Sequence, residues 1–363
     1  MGYQQRKALF SSIEMIRKRP LITYVTSIRG GMGGNMAGDA IRPFIDQLEL
    51  ISNDIKEVDF LIISNGGDPI TALRMMSILR ERFDNIAVLL PYVAYSAATI
   101  LSLGADKIVM HKYSNLGPVD PQITVSHKGN DGKVDNLQFG TEDINNFMDF
   151  LKRDVGLSNQ GHRANLAKEL ITQIGPVFIG NAKRSQRLSL TLSQKLLLSH
   201  LSCKNKAKKI AQKLNSSYYH HGYAVGRKEA IEIGLPIETP GTELEDLLWK
   251  VWLDYEAEMK CNDNFDFIKE IMNDPNSQAI INNVPVISIP ANLPEPQKQA
   301  VYNTYVSKAV VTSQKALKLS VLVASIESKN VQKSFYVDMN IRYWRDAAMN
   351  INFNCNQTSQ GWK

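Results

Sequence analysis

Apolar positions along this chain follow two rhythms. Short continuous runs such as Phe60 to Ile63 and Ile86 to Leu90 are rich in β-branched residues and stop at polar, glycine or proline residues, the pattern of buried strands. Leu21 to Ser27 and Lys107 to His111 predict two more strands. Between the runs, apolar residues recur at helical spacing. Residues 3 to 18 predict an amphipathic helix with Leu9, Ile13 and Ile16 on one face and Pro20 beyond its end, and further helices are predicted over 41 to 51 and 69 to 82. Asp68-Pro69 supplies an N-cap and a first-turn proline for the last of these. Strands alternating with helices in units of this length predict parallel crossovers and an α/β core.

After residue 122 the pattern changes. Ser126 to Gly140, with Gly129, Asp131, Gly132 and Lys133, reads as a loop or mobile hairpin. Thr141 is placed to cap a helix carrying Ile144, Phe147, Met148, Leu151 and Val155, and one long helical pattern covers about 178 to 214. Pro240-Gly241 breaks the chain, and Thr242 with Glu245 has capping-box spacing before Leu244, Leu247, Leu248 and Val251. From about 262 the pattern gives a strand-like Val284 to Ile289, a helix over 297 to 316, and a hairpin of Lys318 to Ile326 with Lys333 to Trp344. The expected division is an N-terminal helix (1–20), an α/β domain (21–240) and a smaller C-terminal α+β accessory domain (241–363) serving assembly or recognition.

With 363 residues, 44% of them apolar and 21% charged, the chain can bury a full core. A net charge of +6 permits weak attraction to acidic partners. The densest basic cluster, Lys204 to Lys213, has no interleaved aromatics and reads as a solvated helix face, so no nucleic-acid partner is expected. Three scattered cysteines, Cys203, Cys261 and Cys355, suit a reducing cytoplasm. Neither a signal-peptide core nor a myristoylation signal opens the chain. Ile86 to Ala105 is uncharged and long enough to span a bilayer, but Pro91 and the Tyr-Ser centre argue for a buried strand, turn and helix instead.

The chemistry concentrates between Phe60 and Gln122. One strand ends at Gly66-Gly67, where bare backbone amides are able to face a ligand, and the next leads through Tyr95 to Ser96 at the start of a helix. A serine at such a corner has an exposed hydroxyl, with the Ala97 amide beside it where an oxyanion would form. Gly30-Gly31-Met32-Gly33-Gly34 lacks the Gly-Lys-Ser/Thr ending of a phosphate loop and reads as a flexible loop. His220-His221 has no carboxylate at ligand spacing, so no metal is expected.

The ordered set of Gly66-Gly67-Asp68, Ala94-Tyr95-Ser96-Ala97-Ala98-Thr99 and Leu116-Gly117-Pro118-Val119-Asp120-Pro121-Gln122 resembles the Clp-type serine peptidases and signal peptide peptidase A, most of all the serine dehydrogenase proteinases. Its reach is about Leu21 to Pro236. The resemblance implies a ClpP/crotonase-like spiral of ββα units, often a homo-oligomer, with Ser96 as nucleophile and Gly66, Gly67 and Ala97 around the oxyanion hole. It also puts the glycine-rich loop near the substrate cleft. The general base departs from the pattern. Clp-type peptidases have a histidine in the loop that here carries Asp120, whereas signal peptide peptidase A uses a downstream lysine whose separation points near Lys152. Lys152 is therefore the expected base, Lys183 and His221 are the alternatives, and Asp120 either orients the base or shapes the turn before Pro121. The expectation is a soluble, cytoplasmic, ATP-independent serine peptidase of Ser-Lys type, acting on a peptide or protein without a cofactor. A crotonase-like acyl-CoA enzyme and an inactive oligomeric scaffold are the rival readings.

Overall fold

The computed structural model describes residues 2–128, 134–157, 159–216, 218, 220–281, 288–310, 315–345 and 350–363. The chain opens with α1 (Tyr3–Arg17), β1 (Leu21–Thr26), α2 (Ile41–Leu48), β2 (Glu57–Ile63), α3 (Pro69–Arg82) and β3 (Asn85–Leu90). It continues through β4 (Val93–Ala94), α4 (Ala97–Ser102), β5 (Lys107–Met110), β6 (Asn115–Leu116), β7 (Ile123–Lys128) and β8 (Val134–Phe139). Four helices follow: α5 (Thr141–Arg153), α6 (Gln160–Ile174), α7 (Pro176–Leu197) and α8 (Lys204–Ser216). Then come β9 (Val225–Gly226), α9 (Arg227–Ile233), β10 (Ile237–Glu238), α10 (Thr242–Glu258), α11 (Phe267–Asn273), α12 (Pro275–Ile281) and α13 (Glu295–Val310). The chain closes with β11 (Lys315–Glu327), β12 (Gln332–Arg345) and β13 (Ile351–Trp362).

Eight strands form one mixed sheet in the order β10-β5-β3-β2-β1-β11-β12-β13. From β10 to β1 neighbouring strands are parallel, and from β1 to β13 they are antiparallel. Period-two alternation divides the central strands between two layers. Ile22, Tyr24, Phe60 and Ile62 pack under α2, α3, α4 and α7, whereas Leu21, Val25, Leu61 and Ile63 face α1 and α10. The α/β class follows from the sequence, and a two-strand-and-helix unit of the kind the resemblance implies is present. β3 with β4, then α4, then β5 with β6, each place a long strand in the main sheet and a two-residue strand in a small second sheet of order β4-β6-β9. Asp68 caps α3 through the Ile70 and Thr71 amides, and Pro69 opens it, as the spacing predicts.

Several expectations change. The buried stripe of α1 is Arg6, Phe10 and Ile13, while Ile16 is exposed, because α1 docks a charge as well as apolar groups on α10. The single helix expected over 178 to 214 breaks into α7 and α8, where the His200 ring meets the Leu103 carbonyl at 2.9 Å and pins the turn to the end of α4. Gly140 and Gly241 occupy the N-cap positions of α5 and α10, and neither Thr141 nor Thr242 does. Strands β11 and β12 form the expected hairpin, and β13 adds a third strand the alternation had not singled out. The division at 240 meets continuous packing: Leu248, Trp252 and Tyr255 of α10 share a core with β1 and β2, and β11 pairs directly with β1. Residues 241–363 also hold an apolar cluster of their own, in which Ile271 packs with Ile341 and Tyr343. The glycine-rich loop is held by the following segment, with Phe265 N donating to Gly30 O at 2.8 Å. The lysines of α8 point outward, opposite a buried face of Ala207, Ile210, Ala211 and Leu214. Most of the strand-like 284–289 and the 129–133 part of the polar loop lie outside the described residues. Among the described residues no helix is long and apolar enough to cross a membrane, and Ile86 to Ala105 forms β3, β4 and α4.

Candidate active site

Ser96 stands where β4 turns into α4, with φ 51° and ψ −115°, a left-handed conformation costly for a residue with a side chain. Two anchors hold it there. Tyr95 N donates to Ser64 O at 2.9 Å, tying the turn to the end of β2, and Thr99 Oγ1 bonds the carbonyls of Ala94 and Gly117 at 2.7 and 2.9 Å. The Ser96 hydroxyl does not cap α4, so the ordinary role of a serine at a helix start is unfilled. The half-buried side chain instead lines a cavity of about 390 Å3, together with Gly67, Ile100, Val119, Leu188 and His221.

The two glycines differ in function. Gly66 N donates to Ser64 Oγ at 3.0 Å, so that amide is spent internally. What Gly66 contributes is close approach: a Cβ there would lie 2.9 Å from Ser96 Cβ and 3.0 Å from Ala97 N, at a φ of +102°. Gly67 is held by its neighbours, with Met36 N donating to Gly66 O and Asp68 N donating to Met36 O, both at 2.8 Å. Among the described residues neither the Gly67 nor the Ala97 amide has a protein acceptor. Gly67 lines the same cavity as Ser96, and Ala97, the next residue along, stands at the N-terminal end of the α4 dipole.

His221 and Asp120 arrive through the small sheet. β6 pairs with β4 on one side and β9 on the other, so Asp120, four residues after Leu116, meets His221, four residues before Val225. Nδ1 of His221 donates to Asp120 Oδ1 at 2.9 Å, and Gln122 Nε2 donates to the other carboxylate oxygen at 3.1 Å. That contact fixes the tautomer and leaves Nε2 as the ring nitrogen without the proton. The Asp120 hydrogen bond raises the His221 pKa above the ordinary imidazole value, against the lowering effect of burial.

The expected bases fall on different elements. Lys152 is exposed near the C-terminal end of α5, and Lys183 is exposed on α7, where its ammonium donates to Gln186 Oε1 at 3.0 Å. Neither lines the cavity, whereas His221, the other alternative, does. The separation that pointed to Lys152 counts residues along the chain, and α5 carries that residue to an exposed position. Ser185, Leu188 and Ser189 of α7 also wall the cavity, and nothing in their spacing singled them out. Among the described residues no group of three or more His, Cys, Asp or Glu is arranged to hold a metal ion.

One family model matches part of the chain. Residues 45–134 match the family model described as ClpP-like SDH-type serine proteinase, the family the ordered motifs resemble. An uncharacterized protein of Methanocaldococcus jannaschii is 27% identical over 184 residues, which is 51% of this chain and 54% of the relative. A second uncharacterized protein of that organism is 35% identical over 66 residues, 18% of this chain and 23% of the relative. The chain thus spans about half the length of the first relative and under a quarter of the second. Among solved structures, two mutant forms of the 1510-N membrane-bound stomatin-specific protease align at TM-scores of 0.36 and 0.35 with 11% and 10% identity. They cover 63% and 62% of this chain and 84% and 77% of theirs, and the second is in complex with a substrate peptide.

Proposed function

From a chain that carries the ClpP-like SDH-type serine proteinase pattern across residues 45–134, we propose a serine peptidase whose nucleophile is Ser96, whose base is His221 and whose orienting carboxylate is Asp120. One observation carries this reading: Ser96, Gly67 and His221 wall one cavity while the far ring nitrogen of His221 is bonded to Asp120. A lone serine is a weak nucleophile, and a base oriented by a third group is what acyl transfer requires.

The steps follow from the groups present. His221 Nε2 takes the Ser96 proton as Oγ attacks the peptide carbonyl, and Asp120 stabilises the resulting imidazolium without itself being protonated. The tetrahedral oxyanion receives the Gly67 and Ala97 amides, which have no competing protein acceptor. His221 returns the proton to the leaving amine as the C–N bond breaks. Water, deprotonated by the same imidazole, then hydrolyses the Ser96 ester. No ATP and no cofactor enter the scheme.

A fluorophosphonate probe tests it. The intact chain takes up one probe per active site, and Ser96→Ala takes up none. Equal labelling of both proteins refutes Ser96 as nucleophile. A His221→Ala protein that labels at the wild-type rate refutes the base.

A further inference from the structure

A second cavity of about 220 Å3 adjoins the first, sharing His221, Pro121 and Gln122 with it and adding Asp120 to its lining. Its far wall is the first turn of α5. Glu142 and Asp143 line it, joined by Asp120, and no lysine or arginine does. Asp120 is engaged at both oxygens, whereas Glu142 and Asp143 are each half used. Glu142 Oε1 accepts from Gln186 Nε2 at 2.6 Å, and Asp143 Oδ2 accepts from Gly140 N at 2.7 Å. Among the described residues neither has a cationic partner, and Lys183 bonds the opposite end of Gln186. Acidic first-turn residues also complement a helix dipole, so their charge alone decides nothing. Thr141 adds an independent sign. It lines the same cavity, is more than nine-tenths buried, and its hydroxyl has no hydrogen-bond partner. A buried hydroxyl left open against a cavity is a place for a ligand's polar group.

Resting on the serine peptidase reading, we infer that this cavity is a specificity pocket for a lysine or arginine side chain of the substrate, on the leaving-group side of the cleaved bond. The side follows from the proton path. His221 gives its proton to the departing amine, so the departing segment crosses His221, and the acidic cavity starts there. Its volume suits one long side chain and falls below that of a pocket for a drug-sized molecule. The other cavity, walled by Ile100, Val119 and Leu188, takes the apolar residue on the acyl side.

The test uses matched peptides that carry arginine, its neutral isostere citrulline, or glutamate at one position. Their binding to the Ser96→Ala protein is measured by fluorescence anisotropy, and wild-type cleavage of the same set is read by mass spectrometry. Arginine is expected to bind about tenfold more tightly than citrulline, a modest value for one close charge pair. Glu142→Gln brings the ratio near one, and Glu142→Lys turns preference toward glutamate. Equal binding of arginine and citrulline, or a ratio that neither variant moves, overturns the inference. Fluorophosphonate labelling of Ser96 without basic preference leaves the hydrolase reading intact and removes the pocket. If the probe does not label Ser96, the hydrolase reading falls, while the anisotropy ratios still decide the pocket.

Discussion

His221 Nδ1 donates to Asp120 Oδ1 at 2.9 Å across a sequence separation of 101 residues. The bond engages Nδ1 of a ring that lines the same cavity as Ser96. Asp120→Asn preserves the shape but offers an amide, which admits the opposite tautomer. Acylation of the Asn variant by a fluorophosphonate or activated ester is expected to fall by about 10³ to 10⁴, the size seen when a triad carboxylate is so changed. Stopped-flow or gel-based labelling rates measure it. A fall of less than tenfold would remove Asp120 from the orienting role.

The same bond sets a pH dependence. Hydrogen bonding to Asp120 raises the His221 pKa above 6.5, against burial. As general base His221 must be neutral, so labelling rises with pH through an inflection above the ordinary imidazole value. In Asp120→Asn the inflection moves down. The stability effect has the opposite sign: the pair stabilises the fold below the unfolded-state pKa, and that contribution is lost as pH rises through the folded-state value. A rate profile that is flat from pH 6 to 9 would exclude a titrating His221 base.

Ser96 was legible because everything that defines it is local: an apolar run, a turn, a small-residue helix start, and the glycine pair that ends the neighbouring strand. The base was not. His221 is brought to Asp120 by β6 and β9, strands of two residues each, too short to leave a periodic trace. Lys152 was favoured by its separation from Ser96, a count along the chain that does not report where a helix carries the side chain. The hairpin of β11 and β12 was legible from alternation, but its pairing with β1 joins residues some 300 positions apart, a long-range contact that no local pattern encodes.

Gly66 and Gly67 are held at φ +102° and +146°. Alanine at 66 meets Tyr95 O at 2.6 Å and Ser96 Cβ at 2.9 Å, and alanine at 67 runs into the Met36 backbone. Each replacement adds backbone strain of about 1 to 3 kcal/mol before any clash is relieved. Gly66→Ala is expected to displace Ser96 and Ala97 together, abolishing labelling while lowering the urea midpoint. Gly67→Ala disturbs the oxyanion amide and the Met36 bridge. Wild-type labelling in either variant would contradict the geometry assigned to this corner.

Lys152 provides the opposite control. It is exposed on α5 and outside the cavity lined by Ser96. Lys152→Ala should label within about twofold of wild type, since surface substitutions of this kind change little. A loss of a hundredfold or more would restore the lysine-base mechanism and displace His221.

Arg6 is the charge on which the layer behind the sheet is assembled. Its guanidinium is fully buried, pairs with Asp254 and Glu258 of α10, and donates to both oxygens of Glu327 on β11, at 2.9 and 2.6 Å. Tyr255 stacks against it with the guanidinium carbon 4.1 Å from the ring centroid, and its hydroxyl donates to Glu327 at 2.9 Å. Glu327 also accepts from Ser325 and Gln332. One cation therefore joins the N-terminal helix, α10 and the strand that pairs with β1. Arg6→Met keeps the length of the side chain but leaves buried carboxylates uncompensated, at a cost of about 3 to 5 kcal/mol. Urea unfolding followed by circular dichroism should show that loss, large against a typical total stability of about 5 to 15 kcal/mol. Removing Glu327 as well, in Arg6→Met with Glu327→Leu, should recover part of it, because the main orphaned charge goes too. If the double variant is no more stable than the single one, the cost lies in packing around α1 and not in the unpaired carboxylate.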